Sequence, residues 1–299
     1  MDLPALQTEN ELAYSQKHLN DAVEEAILED PIMADKVWDG EVLLQAWLEG
    51  DYYKQKNARL AQLDPLSLSE IVMDVFVSVA YCRVPELFVS LTSRLAVKMG
   101  FDSHRDSIIT IAEIVAVLCE TDAYDITKED ARSSLMIVSR LNLPDPLLEK
   151  IDQAMYVPPM VCKPLSVESN YESAYLTFND SLILGSDNGH NEDICLDVIN
   201  TQNAVALQLC IPFLESVPEE ATYALDTIEK QTQWKTFRAQ SNDIYQMLHN
   251  AGNTFYLTNK EDKRGRMYAQ GYHVTTQGSP FKKASIELAH EERVKGVPA

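Results

Sequence analysis

The hydrophobic pattern of the first half of the chain is helical almost throughout. Leu12, Leu19, Val23, Ala26 and Ile27 keep one apolar face through an otherwise polar opening, and Leu44, Trp47 and Leu48 do the same beyond Glu41. Ser67-Leu68-Ser69-Glu70 forms a capping box ahead of a strongly apolar run over residues 71–79. Pro85 suits a first helical position. The segment it opens runs through Phe88, Leu91, Leu95 and Val97 to Gly100, a residue fit for a C-terminal cap. Residues 107–119 are apolar nearly all round, as expected of the central helix of a bundle. Thr127-Lys128-Glu129-Asp130 reads as the start of another helix, with Leu135, Ile137, Val138 and Leu141 behind it. Pro144 and Pro146 bracket a short helix ending near Met155. Residues 1–155 are thus expected to form one helical domain whose marked positions build core.

The pattern then breaks. Pro158, Pro159 and Pro164 interrupt it, so residues 156–192 read as an ordered, irregular linker, with a loose alternation at Tyr175, Leu176, Phe178 and Leu182 that suits a short hairpin. The polar run from Ser186 to Asp193 lacks the ligand spacing and closing glutamate of a calcium loop. Helices resume over 196–214 and over 218–250. The second is long and polar. A helix that buries so narrow a face must project into solvent or lie against a partner. The fold class expected is mainly α, closing on a few strands after residue 255.

Composition narrows the picture. The 299 residues are 45% apolar and 24% charged, enough for one large domain or two modest ones. The longest apolar run, residues 108–119, is far short of a membrane span and contains Thr110 and Glu113. The opening has an acid, Asp2, and no basic region, so no export signal is expected. Cys82, Cys119, Cys162, Cys195 and Cys210 form no C-x-x-C pair or complete disulfide set and suit a reducing compartment. The histidines have no metal-binding spacing, and no metal site is expected. The net charge of −21 is uneven: from Lys260 onward eight cations face five carboxylates, a net of +3, leaving −24 for the first 259 residues. Such asymmetry suits an acidic body presenting a local basic element to an anionic partner.

That element is Asp262-Lys263-Arg264-Gly265-Arg266-Met267-Tyr268, followed by Gln277-Gly278 and Lys282-Lys283. Each arginine is able to grip a phosphate through two parallel N–H bonds. Asp262 is placed to orient one guanidinium, and Gly265 lets the backbone approach closely. On a strand, Arg264, Arg266 and Tyr268 would share one face.

The string resembles the D-x-x-G-R motif that opens the palm of the single-subunit RNA polymerases of phages and mitochondria. Asp262, Arg264, Gly265, Arg266 and Tyr268 match it position by position, and Gln277, Gly278 and Lys283 match its continuation; Lys263 stands where an aromatic residue is usual. Residues 158–165 resemble the proline-rich run that leaves the family's N-terminal domain, with Leu165 in place of a tryptophan. Asn200-Thr201-Gln202-Asn203 with Leu207 resembles a family helix, again without its tryptophan and one residue shorter.

The resemblance implies a nucleotidyltransferase subunit for transcription. Its nucleic-acid contacts would be Asp262, Arg264, Gly265, Arg266, Tyr268, Gln277, Gly278, Lys282 and Lys283. Residues 193–254 would form a thumb, with Lys230, Lys235 and Arg238 on the backbone, and residues 255–299 would begin the palm. The family's catalytic aspartates and fingers lysine would lie beyond the last residue, so no catalytic residue is expected in this chain. A second subunit would supply them and hold the magnesium, as in the heterodimeric polymerases of N-four-like phages. This implies a DNA template, an RNA product, promoter-opening accessory proteins, no membrane, and the cytoplasm of an infected bacterium. Palm strands split between two chains are expected to leave unpaired edges over 255–299. The competing reading is a non-enzymatic acidic helical adaptor whose basic C-terminal element binds nucleic acid or protein. A stand-alone enzyme has no nucleophile–base pair, P-loop or G-x-G-x-x-G to support it.

Overall fold

The computed structural model describes residues 2–128, 134–153, 156–185, 189–290 and 296. It is about 52% helical, with a few small antiparallel sheets: a mainly-α fold. No described helix is long and apolar enough to cross a membrane. The chain divides into two compact units, residues 19–152 and residues 1–18 with 153–299.

In order, the helices are α1 (Leu3–Tyr14), α2 (Gln16–Glu29), α3 (Pro31–Leu48), α4 (Lys54–Leu60), α5 (Leu68–Ala80), α6 (Phe88–Lys98), α7 (His104–Leu118), α8 (Asp145–Gln153), α9 (Leu196–Asn203), α10 (Ile211–Ser216), α11 (Ile228–Asn250) and α12 (Pro280–Ala284). The strands are β1 (Glu86–Leu87), β2 (Tyr124–Lys128), β3 (Leu135–Ser139), β4 (Leu207–Leu209), β5 (Thr254–Phe255), β6 (Asn259–Glu261), β7 (Met267–Ala269) and β8 (Ile286–Leu288).

The unit of residues 19–152 packs α3, α5, α6 and α7 around Val72, Val75, Phe76, Leu91, Ile114 and Leu118, all essentially inaccessible. Ser67 caps α5 by accepting the Glu70 N–H at 3.3 Å, as the capping box predicts, and Gly100 follows α6 with φ +64°. The expected helix from Thr127 does not form. Residues 124–128 and 135–139 are instead β2 and β3 of an antiparallel sheet ordered β1-β3-β2. Its start falls partly on residues 129–133, outside the described residues. β-branched Ile137 and Val138 suit a strand, and Tyr124 locks β2 by donating its hydroxyl to the Val115 carbonyl at 2.7 Å.

The second unit takes in α1, which the sequence pattern assigned to the helical domain. Its buried Glu11 accepts backbone N–H groups of Leu176 (3.0 Å) and Thr177 (2.8 Å), the Thr177 hydroxyl (2.7 Å) and the Gln7 amide (2.8 Å). Gln7 Oε1 accepts the Val161 N–H at 2.9 Å. A carboxylate removed from water needs this many donors. The segment expected as a linker is irregular but forms core: Met160, Val161, Val167, Leu182 and Ile183 are buried, and no hairpin forms at residues 171–184. Residues 186–188 of the polar loop lie outside the described residues.

The expected helix over 196–214 is broken. Leu207 and Leu209 alternate with Gln208 and form β4, the middle of a sheet ordered β5-β4-β8, and only residues 196–203 and 211–216 are helical. α11 begins at Ile228 rather than near Pro218. Ile244, Tyr245 and Leu248, in its C-terminal half, pack on that sheet with Phe255, Leu257 and Val274. No described side chain of residues 228–240 is buried, and Ile228 is 83% exposed.

Candidate functional site

The basic motif folds as the turn of the β6–β7 hairpin, not as one face of a strand. Strand pairing ends at Glu261↔Met267, the Asp262 N–H donates to the Arg266 carbonyl (2.8 Å), and the Gly265 N–H returns to the Asp262 carbonyl (2.9 Å). Gly265 sits at φ +75°, where any other L-residue is strained.

Asp262 is the hub. Its Oδ1 accepts the backbone N–H groups of Arg264 (2.9 Å) and Arg266 (3.0 Å). Its Oδ2 accepts Nε and Nη2 of Arg264 (3.3 and 3.0 Å) and Nε and Nη2 of Arg266 (2.9 and 2.7 Å), with the Tyr268 hydroxyl at 3.5 Å. One carboxylate therefore orients both guanidinium groups. Desolvation alone would raise the Asp262 carboxyl, but hydrogen bonds from Arg266 and its charge outweigh that and hold it below the usual carboxylate range.

Side-on pairing uses two of each guanidinium's five N–H donors and leaves its Nη1 end free. The Arg264 and Arg266 side chains are 71% and 51% exposed, and the Arg266 guanidinium lies 5.7 Å from the Tyr268 ring centre. Two forks held side by side with free outer donors are suited to the oxygens of successive phosphates. Lys263 adds a third exposed cation at the tip.

The hairpin closes its own edges. On the β6 side Glu261 exchanges backbone hydrogen bonds with Leu182 and Leu184 (2.9 and 2.7 Å), and its carboxylate accepts the Cys195 N–H at 3.2 Å. On the β7 side the Gln277 side-chain amide accepts from the Ala269 N–H (3.0 Å) and donates to the Met267 carbonyl (3.1 Å), standing in for a strand. The sequence expectation of unpaired edges therefore does not hold for this hairpin. In the other sheet β5 is flanked by Met160, bridged to Tyr256. β8 pairs with β4 on one side, and Ile286 and Leu288 direct their backbone groups to the other; Leu288 is 58% exposed.

Gly278 lies so close to α12 that a Cβ would meet Lys282 at 2.8 Å. The Lys282 amine donates to the Tyr272 carbonyl, and Lys283 is exposed in the last turn of α12. On α11, Lys230 pairs with Asp226 (2.7 Å), Arg238 pairs with Glu219 (2.6 Å), and Lys235 is exposed. Asn200 clasps Val167 through its N–H and its carbonyl (2.9 Å each), and Asn203 accepts from Asn259 (3.0 Å). Both asparagines of α9 thus have structural partners.

Sequence reading missed the row of rings joining α11 to residues 270–273. Trp234 and Phe237, three apart on α11, were its one local sign. Among the described residues no group of three or more His, Cys, Asp or Glu side chains is arranged to hold a metal ion. No protein-family model matches the chain, and no curated protein matches it.

Proposed function

We propose that the chain is a non-catalytic subunit of a DNA-dependent RNA polymerase, presenting the Asp262–Arg264–Arg266 turn to the phosphates of the template or of the RNA–DNA hybrid. The observation that carries the reading is the clamp itself. The Asp262 carboxylate accepts from both arginines, by backbone N–H and by guanidinium, so the D-x-x-G-R spacing has a structural reason, and free donors remain for phosphate. The weakly buried first half of α11 suits a thumb leaning over a duplex. Catalytic aspartates and magnesium belong to the partner subunit in this reading, and no step of the reaction is assigned to residues of this chain. The outer edge of β8 is the place where a partner strand would add.

The adaptor reading draws on the pairing of Lys230 and Arg238 with carboxylates, which leaves the long helix less basic than its sequence suggests. RNA synthesis by the chain reconstituted with the product of the adjoining reading frame separates the two. Arg266→Ala abolishes synthesis and spares assembly if the chain is a polymerase subunit. An adaptor loses binding gradually with each cation removed, with no special position.

A further inference from the structure

The longest aromatic row among the described residues includes Tyr272, six residues beyond Arg266 of the arginine turn. Tyr156 stacks on Tyr272 with centroids 4.2 Å apart and planes at 17°. Tyr272 meets Phe237 edge-on at 5.6 Å, Phe237 stacks on Trp234 at 5.3 Å, and Trp234 meets Tyr223 edge-on at 6.4 Å. The Lys282 amine lies 5.0 Å from the Phe237 ring centre and 5.2 Å from that of Tyr272.

A row of rings serving only as core would be buried. Here Tyr156, Tyr272 and Tyr223 keep 46%, 40% and 46% of their surface in solvent. The charge along the stretch that carries Tyr272 and Lys282 is equally unusual, the nearby buried side chain of Glu219 being taken up by Arg238 at 2.6 Å. The chain carries 46 carboxylates, yet none occurs between Asp262 and Glu287, where Lys263, Arg264, Arg266, Lys282 and Lys283 all lie. Tyr272 follows Arg266 by six residues, at most about 20 Å of extended backbone. A polyanion carrying a flat face at every unit suits both features, and an acidic peptide without aromatic residues suits only the first.

We infer that Tyr156 and Tyr272, with Lys282 beside them, form a stacking platform for the unpaired bases of a single-stranded nucleic acid whose phosphates run toward Arg264 and Arg266. The inference deepens the polymerase reading and rests on it for the identity of the anion. Base–aromatic stacking tolerates any sequence because every base has a π-face, and phosphate contact supplies the remaining affinity.

The test measures binding of the full chain to three labelled probes by fluorescence anisotropy: a short oligothymidylate, an abasic oligomer of equal length, and polyglutamate of equal charge. Oligothymidylate is expected to bind most tightly, and Tyr156→Ala to weaken it about tenfold while leaving the abasic oligomer unchanged. Tyr272→Ala has the same effect and Tyr272→Phe restores binding, which separates stacking from a folding defect. Equal binding of oligothymidylate and abasic oligomer, with both alanine variants indifferent, overturns the platform and leaves the phosphate-binding turn standing. Failure of every nucleic-acid probe, or preference for polyglutamate, overturns both.

Discussion

Arg266 gives Oδ2 of Asp262 two hydrogen bonds, from Nε at 2.9 Å and Nη2 at 2.7 Å, while its backbone N–H is held by Oδ1 of the same carboxylate at 3.0 Å. The turn and the guanidinium it displays are therefore set by one side chain. Exposed ion pairs add little stability alone; here the pairing fixes direction.

The lowered carboxyl of Asp262 gives a pH dependence with a definite sign. A carboxylate whose folded pKa lies below its unfolded value of about 4 stabilises the fold above that value and loses the contribution as pH falls through the folded pKa. Amide exchange of Gly265 and Arg266 is expected to accelerate, relative to other strand amides, below about pH 4. Asp262→Asn should remove that dependence and show fast exchange at every pH.

Gly265 has open space around it, the nearest atom to an added Cβ being Glu261 Oε1 at 3.7 Å. Gly265→Ala therefore suffers only the cost of φ +75°, about 1 kcal/mol. Gly265→Asn, more tolerant of the left-handed region, should lose less. Chemical denaturation of the two variants gives the comparison.

Glu11 is the buried acceptor that ties α1 to residues 161–177. Glu11→Ala strands several buried donors and should destabilise that unit by about 3 kcal/mol, with Glu11→Gln costing less. Proteolysis should then open residues 153–290 before residues 19–152. The reverse order would contradict the assignment of α1 to the second unit.

His273, hydrogen-bonded to Ser241 at 2.9 Å, is pushed down to about 4 by burial and by the neighbouring Lys282. Folded His273 thus resists protonation that the unfolded chain accepts near pH 6.5. Its contribution is full above about 6.5 and is lost as pH falls from there toward 4. His273→Asn should flatten the melting temperature over that interval.

The capping box at Ser67, the cap at Gly100 and the mainly-α class were legible because each depends on neighbours in sequence. β2, β3 and β4 were not. Their short runs fit helix and strand alike, and partners as distant as Phe255 and Leu288 decide for the strand. The motif residues were legible as a group, but their geometry was not. Arg264 and Arg266 share a side because Asp262 gathers them across a turn, which alternation along a strand cannot foresee. The Gln277 edge cap and the stacked Tyr156–Tyr272 pair join residues that no local pattern links.

The salt dependence of binding to an RNA–DNA hybrid tests the arginine turn most directly. If Arg264 and Arg266 each neutralise a phosphate, Arg264→Ala/Arg266→Ala weakens binding and lowers the slope of log affinity against log salt by about two. Arg83→Ala/Lys98→Ala, which removes the same charge from the other unit, leaves both unchanged. Equal losses for the two double variants, or an unaltered slope for the first, would contradict the account.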